Sequence, residues 1–278
     1  MTHRHRPGLM YRMPYGFGPT AGPRQGPDGE RFDWTASPRR QAAAVSFLTE
    51  AAALDALLPP GFSLAGDPVV TVEIQRFTEL EWLAGRGYNT LGVRFPATFQ
   101  GDVDRATGSF LSVLWENLAD PILSGRDELG FAKLYAELPE PRIFRGSEHY
   151  EAGWLGHRFL DLEVFDLEDV ATAAQPVAGL AGPSDGTLHY KYIPRTGDWG
   201  QAEVAQACLT PAAGSAARIE RVRHGSGRVA FLPATWEQMP TQFHIVNALA
   251  ALPQLSAPQA VLMDSRGAKD LTDQRVLR

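Results

Sequence analysis

The sequence predicts an α+β, mostly-β protein built on a largely antiparallel sheet system that is closed or nearly closed. Three observations support this. Apolar and polar residues alternate with a period of two over several short runs, as in strands with one covered face. Gly- and Pro-bearing segments separate those runs at turn-like intervals. Only two stretches have a helical pattern, and no regular strand–helix alternation or internal repeat is present.

In chain order, residues 1–38 are expected to form an extended arm. Pro7, Pro14, Pro19, Pro23, Pro27 and Pro38, with many glycines, exclude a long helix there. The arm suits wrapping a neighbour or covering a sheet, with His3-Arg4-His5-Arg6 as a solvated end. A helix is expected from Glu50 to Leu58, with Thr49 as its N-cap and Pro59-Pro60-Gly61 as its stop. Val69 to Phe77 is the clearest strand: Val70, Val72 and Ile74 form an apolar face, and Thr71, Glu73 and Gln75 a polar one. Further strands are expected at Ser109–Asn117, Phe131–Leu138, Arg158–Phe165, Thr187–Ile193, Arg228–Leu232 and Ala260–Met263. Pro240 to Leu252 has a second helical pattern, with Phe243, Val246 and Leu249 on one side. The domain is expected to span residues 39–265, followed by a polar tail, 266–278.

Composition narrows the function. The chain has 278 residues, 44% hydrophobic and 21% charged, with a formal net charge of -6. Such a length supports a substantial core. Without a basic field, nucleic acid is not an expected partner. No apolar run approaches the roughly 20 residues that span a bilayer as a helix. The first thirty residues lack the apolar core of a secretory signal. No membrane association and a cytoplasmic setting are therefore expected. The single cysteine, Cys208, excludes an intrachain disulfide and is expected to be a small buried residue. No phosphate-binding glycine loop, dinucleotide fingerprint, HExxH, paired CxxC or serine nucleophile elbow occurs. The seven histidines show no ligand spacing, so no metal is expected.

Lysine is scarce. Only Lys133, Lys191 and Lys269 stand among 26 basic residues. Lys133 lies in the apolar run Leu129-Gly130-Phe131-Ala132-Lys133-Leu134-Tyr135-Ala136. As a strand, that run puts Phe131, Lys133 and Tyr135 on one face. Burial between aromatics disfavours the ammonium and lowers its pKa. An ordinary lysine is neutral about once in 2,500 molecules at pH 7, whereas a pKa near 7 frees about half of it for nucleophilic attack. The alternative is an edge-strand lysine whose stem covers apolar surface while its tip reaches water.

Other candidates surround it in sequence. Glu73 either points into a lumen, where it can move protons, or faces solvent. Glu116, in Trp115-Glu116-Asn117, is a further carboxylate. Arg126 is either a substrate clamp or the partner of Asp127 or Glu128. Tyr88, in the loop Gly85-Arg86-Gly87-Tyr88-Asn89, either reaches a pocket mouth or caps a surface turn. Arg40 offers a guanidinium suited to a carboxylate.

Together these stretches resemble the acetoacetate decarboxylase superfamily. The likeness runs from Leu58-Pro59-Pro60-Gly61-Phe62 through Val72-Glu73-Ile74, the Tyr88 loop and Trp115-Glu116-Asn117. It continues to Gly125-Arg126-Asp127-Glu128-Leu129-Gly130-Phe131-Ala132-Lys133 and to Tyr190-Lys191-Tyr192-Ile193-Pro194. It covers roughly residues 38–265. The resemblance implies a cone-like β-barrel with flanking helices, a homo-oligomer, and a lyase acting on a small keto acid. It places Lys133 on the Schiff-base lysine, Arg40 on the family's active-site arginine and Glu73 on one active-site glutamate. Glu116 is a second candidate for the proton transfers, and Tyr88 and Arg126 are expected to line the pocket. No cofactor is expected, because the imine itself is the electron sink. Two departures stand out. Leu134 occupies the place of a second lysine, and no carboxylate falls near Tyr88-Asn89-Thr90, where a second glutamate belongs. A pyruvate-type aldolase-dehydratase using the same lysine, and a non-catalytic ligand-binding barrel, are the alternatives.

Overall fold

Alternation in the sequence becomes a single mixed sheet in the computed structural model, which describes residues 5–173 and 176–278. His3 and Arg4 lie outside the described residues. The strands, in chain order, are β1 (Arg39–Leu48), β2 (Phe62–Leu64), β3 (Val69–Leu80), β4 (Arg86–Gln100), β5 (Arg105–Glu116), β6 (Lys133–Tyr135) and β7 (Arg142–Phe144). They continue as β8 (Ser147–Trp154), β9 (His157–Val170), β10 (Gly186–Pro194), β11 (Ala202–Pro211), β12 (Arg218–Phe231), β13 (Gln259–Arg266) and β14 (Arg275–Leu277). Three short helices accompany them: α1 (Ala51–Asp55), α2 (Ala119–Ser124) and α3 (Phe243–Ala250).

The strand order is β14-β11-β10-β5-β4-β3-β1-β13-β12-β9-β8-β7, with β2 attached to β4 and β6 to β5. The expectation of a closed barrel is corrected here: among the described residues β14 and β7 do not pair, so the sheet is open. Both end strands are only three residues long, and Ile143 and Phe144 of β7 are exposed. Edges this short leave too little ladder to close the ring.

Most pairings are antiparallel. The exceptions meet on one edge of β5, where β10 pairs parallel at Ser109 and Phe110 and β6 pairs parallel from Leu114 to Glu116. That edge therefore forks, and Lys133 is the first residue on the β6 branch.

The apolar stripe of β3 is buried as its pattern predicts. Val70, Val72 and Ile74 join Leu160, Leu162 and Val164 of β9 and Val246 and Leu249 of α3 in one hydrophobic cluster. Each such side chain contributes roughly 1.5–3 kcal/mol when fully buried. Trp115 sits in the same cluster and donates its indole N–H to Gln242 Oε1 at 2.6 Å.

Local expectations shift in three places. Glu50, not Thr49, precedes α1, and its side chain makes no capping bond; the Thr49 hydroxyl is buried without a partner. The expected strand over 131–138 shrinks to Lys133–Tyr135, because its pairing with β5 is three residues long and beyond it a single bridge joins Glu137 to Gly153. Residues after Ser265 are polar, yet β14 returns onto β11 and buries Leu277. Cys208 is free and buried. No helix among the described residues is long and apolar enough to cross a membrane.

Candidate active site

Strand register assembles the site. Across the sheet, Ala44, Glu73, Gly92, Leu114 and Lys133 occupy one row. Ala42, Gln75, Thr90, Glu116 and Tyr135 form the next, and Arg40, Phe77 and Tyr88 a third. Residues two apart share a face, so Arg40, Glu73, Tyr88, Glu116 and Lys133 all rise from the face opposite the apolar cluster. The polar stripe of β3 thus faces the molecule's own cavity, not bulk solvent.

Lys133 is buried, with 8% of its surface exposed. Its Nζ lies 2.9 Å from Glu116 Oε1 and donates to the Pro121 carbonyl at 2.9 Å. The Phe131 ring centroid is 5.8 Å from the nitrogen. Gly125 packs against the arm of the lysine so closely that an added Cβ would collide with Lys133 Cε. Burial drives the amine pKa below its ordinary value; the Glu116 charge and hydrogen bond oppose this, and the Arg24 charge adds to it. Glu116 is 1% exposed, and burial raises its pKa against the pull of Lys133. The two shifts run toward each other, which narrows the difference in proton affinity between the amine and the carboxylate. Glu116 Oε2 has no partner and remains free to act as donor or acceptor. Tyr88 is close enough to feel the Glu116 charge; burial, then that charge, raises its hydroxyl pKa well above normal.

Glu73 does not reach the amine. Three strand spacings, about 14 Å along the sheet, separate its row position from Lys133. Its carboxylate accepts from Arg94 Nη2 at 2.9 Å and from the Gln75 amide. Arg40 donates to Ser265 Oγ at 3.1 Å, and burial lowers its pKa while Glu73 opposes the shift. Arg40, Glu73, Gln75 and Arg94 line a cavity of about 980 Å³ of which Lys133 and Glu116 are not lining residues. The face therefore carries two neighbouring centres, an amine–carboxylate pair and a guanidinium–carboxylate cluster. Glu116, not Glu73, stands beside the lysine.

Arg126 pairs with neither Asp127 nor Glu128. Its Nη1 donates to the Lys133 carbonyl at 2.7 Å, bracing the backbone at that residue. Residues 125–129 form one wide helical turn ending at Gly130, whose φ of 82° suits glycine. Lys191 Nζ donates to the Asp127 carbonyl at 2.7 Å, and its stem lies where a Gly130 side chain would stand. His189, fully buried, stacks on Phe131 with centroids 4.2 Å apart. Pro121, Gly125 and Arg24 were not legible as site residues. Arg24 sits in an aperiodic arm, and the Pro121 contribution is a backbone oxygen that no side-chain pattern reveals.

Elsewhere, ligand atoms of His149, Glu151 and Asp161 lie within 4.8 Å of one another. Arg142 and Arg158 already occupy those carboxylates at 2.7 and 3.1 Å, so the group reads as a surface ion-pair network.

The profile of the acetoacetate decarboxylase family matches residues 12–260. The chain belongs to the acetoacetate decarboxylase family. Solved structures of that fold superimpose on it at low identity. The enduracididine biosynthesis enzyme MppR, complexed with pyruvate, is 16% identical with a TM-score of 0.62, over 91% of this chain and 95% of that one. Acetoacetate decarboxylase from Legionella pneumophila is 18% identical with a TM-score of 0.60, over 91% and 92%. An acetoacetate decarboxylase-like enzyme from Sphingomonas wittichii is 16% identical with a TM-score of 0.58, over 91% and 97%. Among curated protein sequences none matches significantly. At these identities the likeness establishes the shared fold.

Proposed function

We propose that this acetoacetate decarboxylase family member is a Schiff-base-forming carbon–carbon lyase that decarboxylates a small β-keto acid through Lys133. The observation that carries the reading is the buried Lys133–Glu116 pair with one carboxylate oxygen unengaged. Neutral Nζ attacks the ketone carbon, and the carbonyl oxygen takes up the proton released by nitrogen. Glu116, neutral when it holds the shared proton, donates it to the carbinolamine hydroxyl, and water leaves. The resulting iminium accepts the electron pair of the breaking carbon–carboxylate bond, giving carbon dioxide and an enamine. Glu116, reprotonated from water, delivers a proton to the enamine carbon, and hydrolysis of the iminium releases the ketone and restores the amine. Arg40 and Glu73, four and three strand spacings from Lys133, stand too far away for one small β-keto acid to bridge and take no part at its carboxylate in this reading, while Tyr88 shapes the wall beside Glu116. Arg126 acts through the Lys133 backbone. A homo-oligomeric, cytoplasmic enzyme accompanies the proposal.

A second reading keeps the imine and changes its fate: a pyruvate enamine attacks an aldehyde and the adduct dehydrates. MppR has been solved with the condensation product of pyruvate and imidazole 4-carboxaldehyde. Product analysis separates the two: carbon dioxide from a β-keto acid, or an unsaturated keto acid from pyruvate and an aldehyde. Borohydride trapping with intact-mass detection tests both against a non-catalytic barrel. The expected result is a keto-acid adduct on wild type that is absent from Lys133→Ala and Lys133→Arg, each still folded. No adduct from any keto acid would falsify the covalent reading.

A further inference from the structure

The N-terminal arm enters the back of the lysine turn. Arg24, only 6% exposed, donates its Nε to Glu128 Oε2 at 2.9 Å and engages the same carboxylate through Nη2. Arg12 holds the other oxygen, Oε1. Glu128 belongs to the turn 125–129 that leads into Lys133. Other contacts on that turn, from Lys191 and from the Gln274 amide, reach only backbone carbonyls. The arm arginines instead engage a charged side chain of the turn, the Glu128 carboxylate.

We propose that Arg24 is a positioning residue for Lys133: held on Glu128, it fixes the turn that delivers the lysine and sets the net charge facing the amine. Two guanidiniums on one carboxylate leave one uncompensated positive charge in a desolvated place. Leu134 supplies no charge beside the nucleophile, so this cation comes from a segment more than a hundred residues away in the chain. The proposal rests on the Schiff-base reading for its functional meaning but not for its test.

The groups facing the amine come from several elements. Glu116 is on β5, Tyr88 on β4 and Arg24 on the arm. On the elements packed around it, Arg126 and Glu128 stand on the turn, the exposed Asp120 on α2, and His189 and Lys191 on β10, where His189 packs on the Phe131 ring and Lys191 bonds carbonyls of the turn. Of these, Glu116 and Arg24 act on the Lys133 charge with opposite signs.

Trace acetylation with acetic anhydride as a function of pH, read at Lys133 by peptide mass with Lys269 as reference, reports the amine titration without any substrate. Arg24→Gln removes the cation and is expected to move the Lys133 midpoint up by on the order of half to one pH unit. Arg24→Lys restores the charge and is expected to return it toward wild type. Glu128→Gln leaves both guanidiniums unneutralised and is expected to move the midpoint down. A purely structural clamp would not give opposite signs. An unchanged midpoint in Arg24→Gln, or shifts of the same sign in Arg24→Gln and Glu128→Gln, overturns the proposal. So does a wild-type Lys133 that titrates like Lys269. The expected shifts without a keto-acid adduct uphold the proposal and remove the lyase reading instead.

Discussion

At the scale of single residues, the proposed chemistry depends on two buried groups with opposed needs. Lys133 loses hydration that its ammonium requires, and Glu116 loses hydration that its carboxylate requires. Each softens the penalty of the other, so neither is stranded as an isolated charge. Glu116→Gln removes the anion that favours the ammonium. The Lys133 midpoint should therefore fall further, while turnover drops about 10²–10⁴-fold for want of a proton carrier. Borohydride trapping should slow as well, because the iminium it reduces forms only after water is expelled with the Glu116 proton. A variant with wild-type turnover would return the proton role to another group. The sequence made Lys133 visible because lysine is rare and this one sits in an apolar run. The family likeness put Glu73 first and Glu116 second for the proton transfers, since alternation assigns a face but not a distance. Register decided between them: Glu116 is on the strand that pairs with Lys133, and Glu73 is two strands further away.

At the scale of elements, β6 is short because it occupies only half of a forked edge, and the turn before it does most of the positioning. Gly125 leaves room for the lysine arm, and its own backbone is in the ordinary helical region. Gly125→Ala should cost little backbone strain yet push the lysine aside. We expect at least a tenfold slower trapping rate, roughly what a misplacement of about 1 Å costs, with a thermal midpoint within a few degrees of wild type. Equal loss of stability and trapping would show that the turn, and not the lysine, bears the clash. The long strands were legible because one face of each is covered, which imposes the two-residue period; β3 and β9 are examples. The β6 boundaries were not, because Phe131, Ala136 and Leu138 are apolar for tertiary reasons. Phe131 stacks on His189, and Ala136 and Leu138 enter the core without strand pairing.

At the scale of the whole molecule, the lysine turn, the N-terminal arm, β10 and the C-terminal residues converge on one region. His189 measures how tightly it is packed. Burial lowers its pKa from 6.5 to about 4, opposed by its contact with the Gly130 carbonyl. The unfolded chain therefore binds more protons than the native state between these values. Stability is complete above pH 6.5 and is lost as pH falls toward 4, with on the order of 2 kcal/mol gone at pH 5. Denaturant midpoints at pH 7 and pH 5 check this. His189→Phe should flatten that part of the slope, and an unchanged slope would place the acid sensitivity elsewhere.

The amino-acid sequence by itself determined the mostly-β class, the covered face of each long strand, the unusual lysine and the family likeness. These are properties of neighbouring residues, readable from periodicity, composition and motif. Tertiary structure alone decided that the sheet stays open, that Glu116 rather than Glu73 meets the amine, and that Arg24 stands behind it. Those outcomes depend on which strands share an edge and where a distant arm folds back. Both are set by packing free energy summed over the whole chain, which no local pattern encodes.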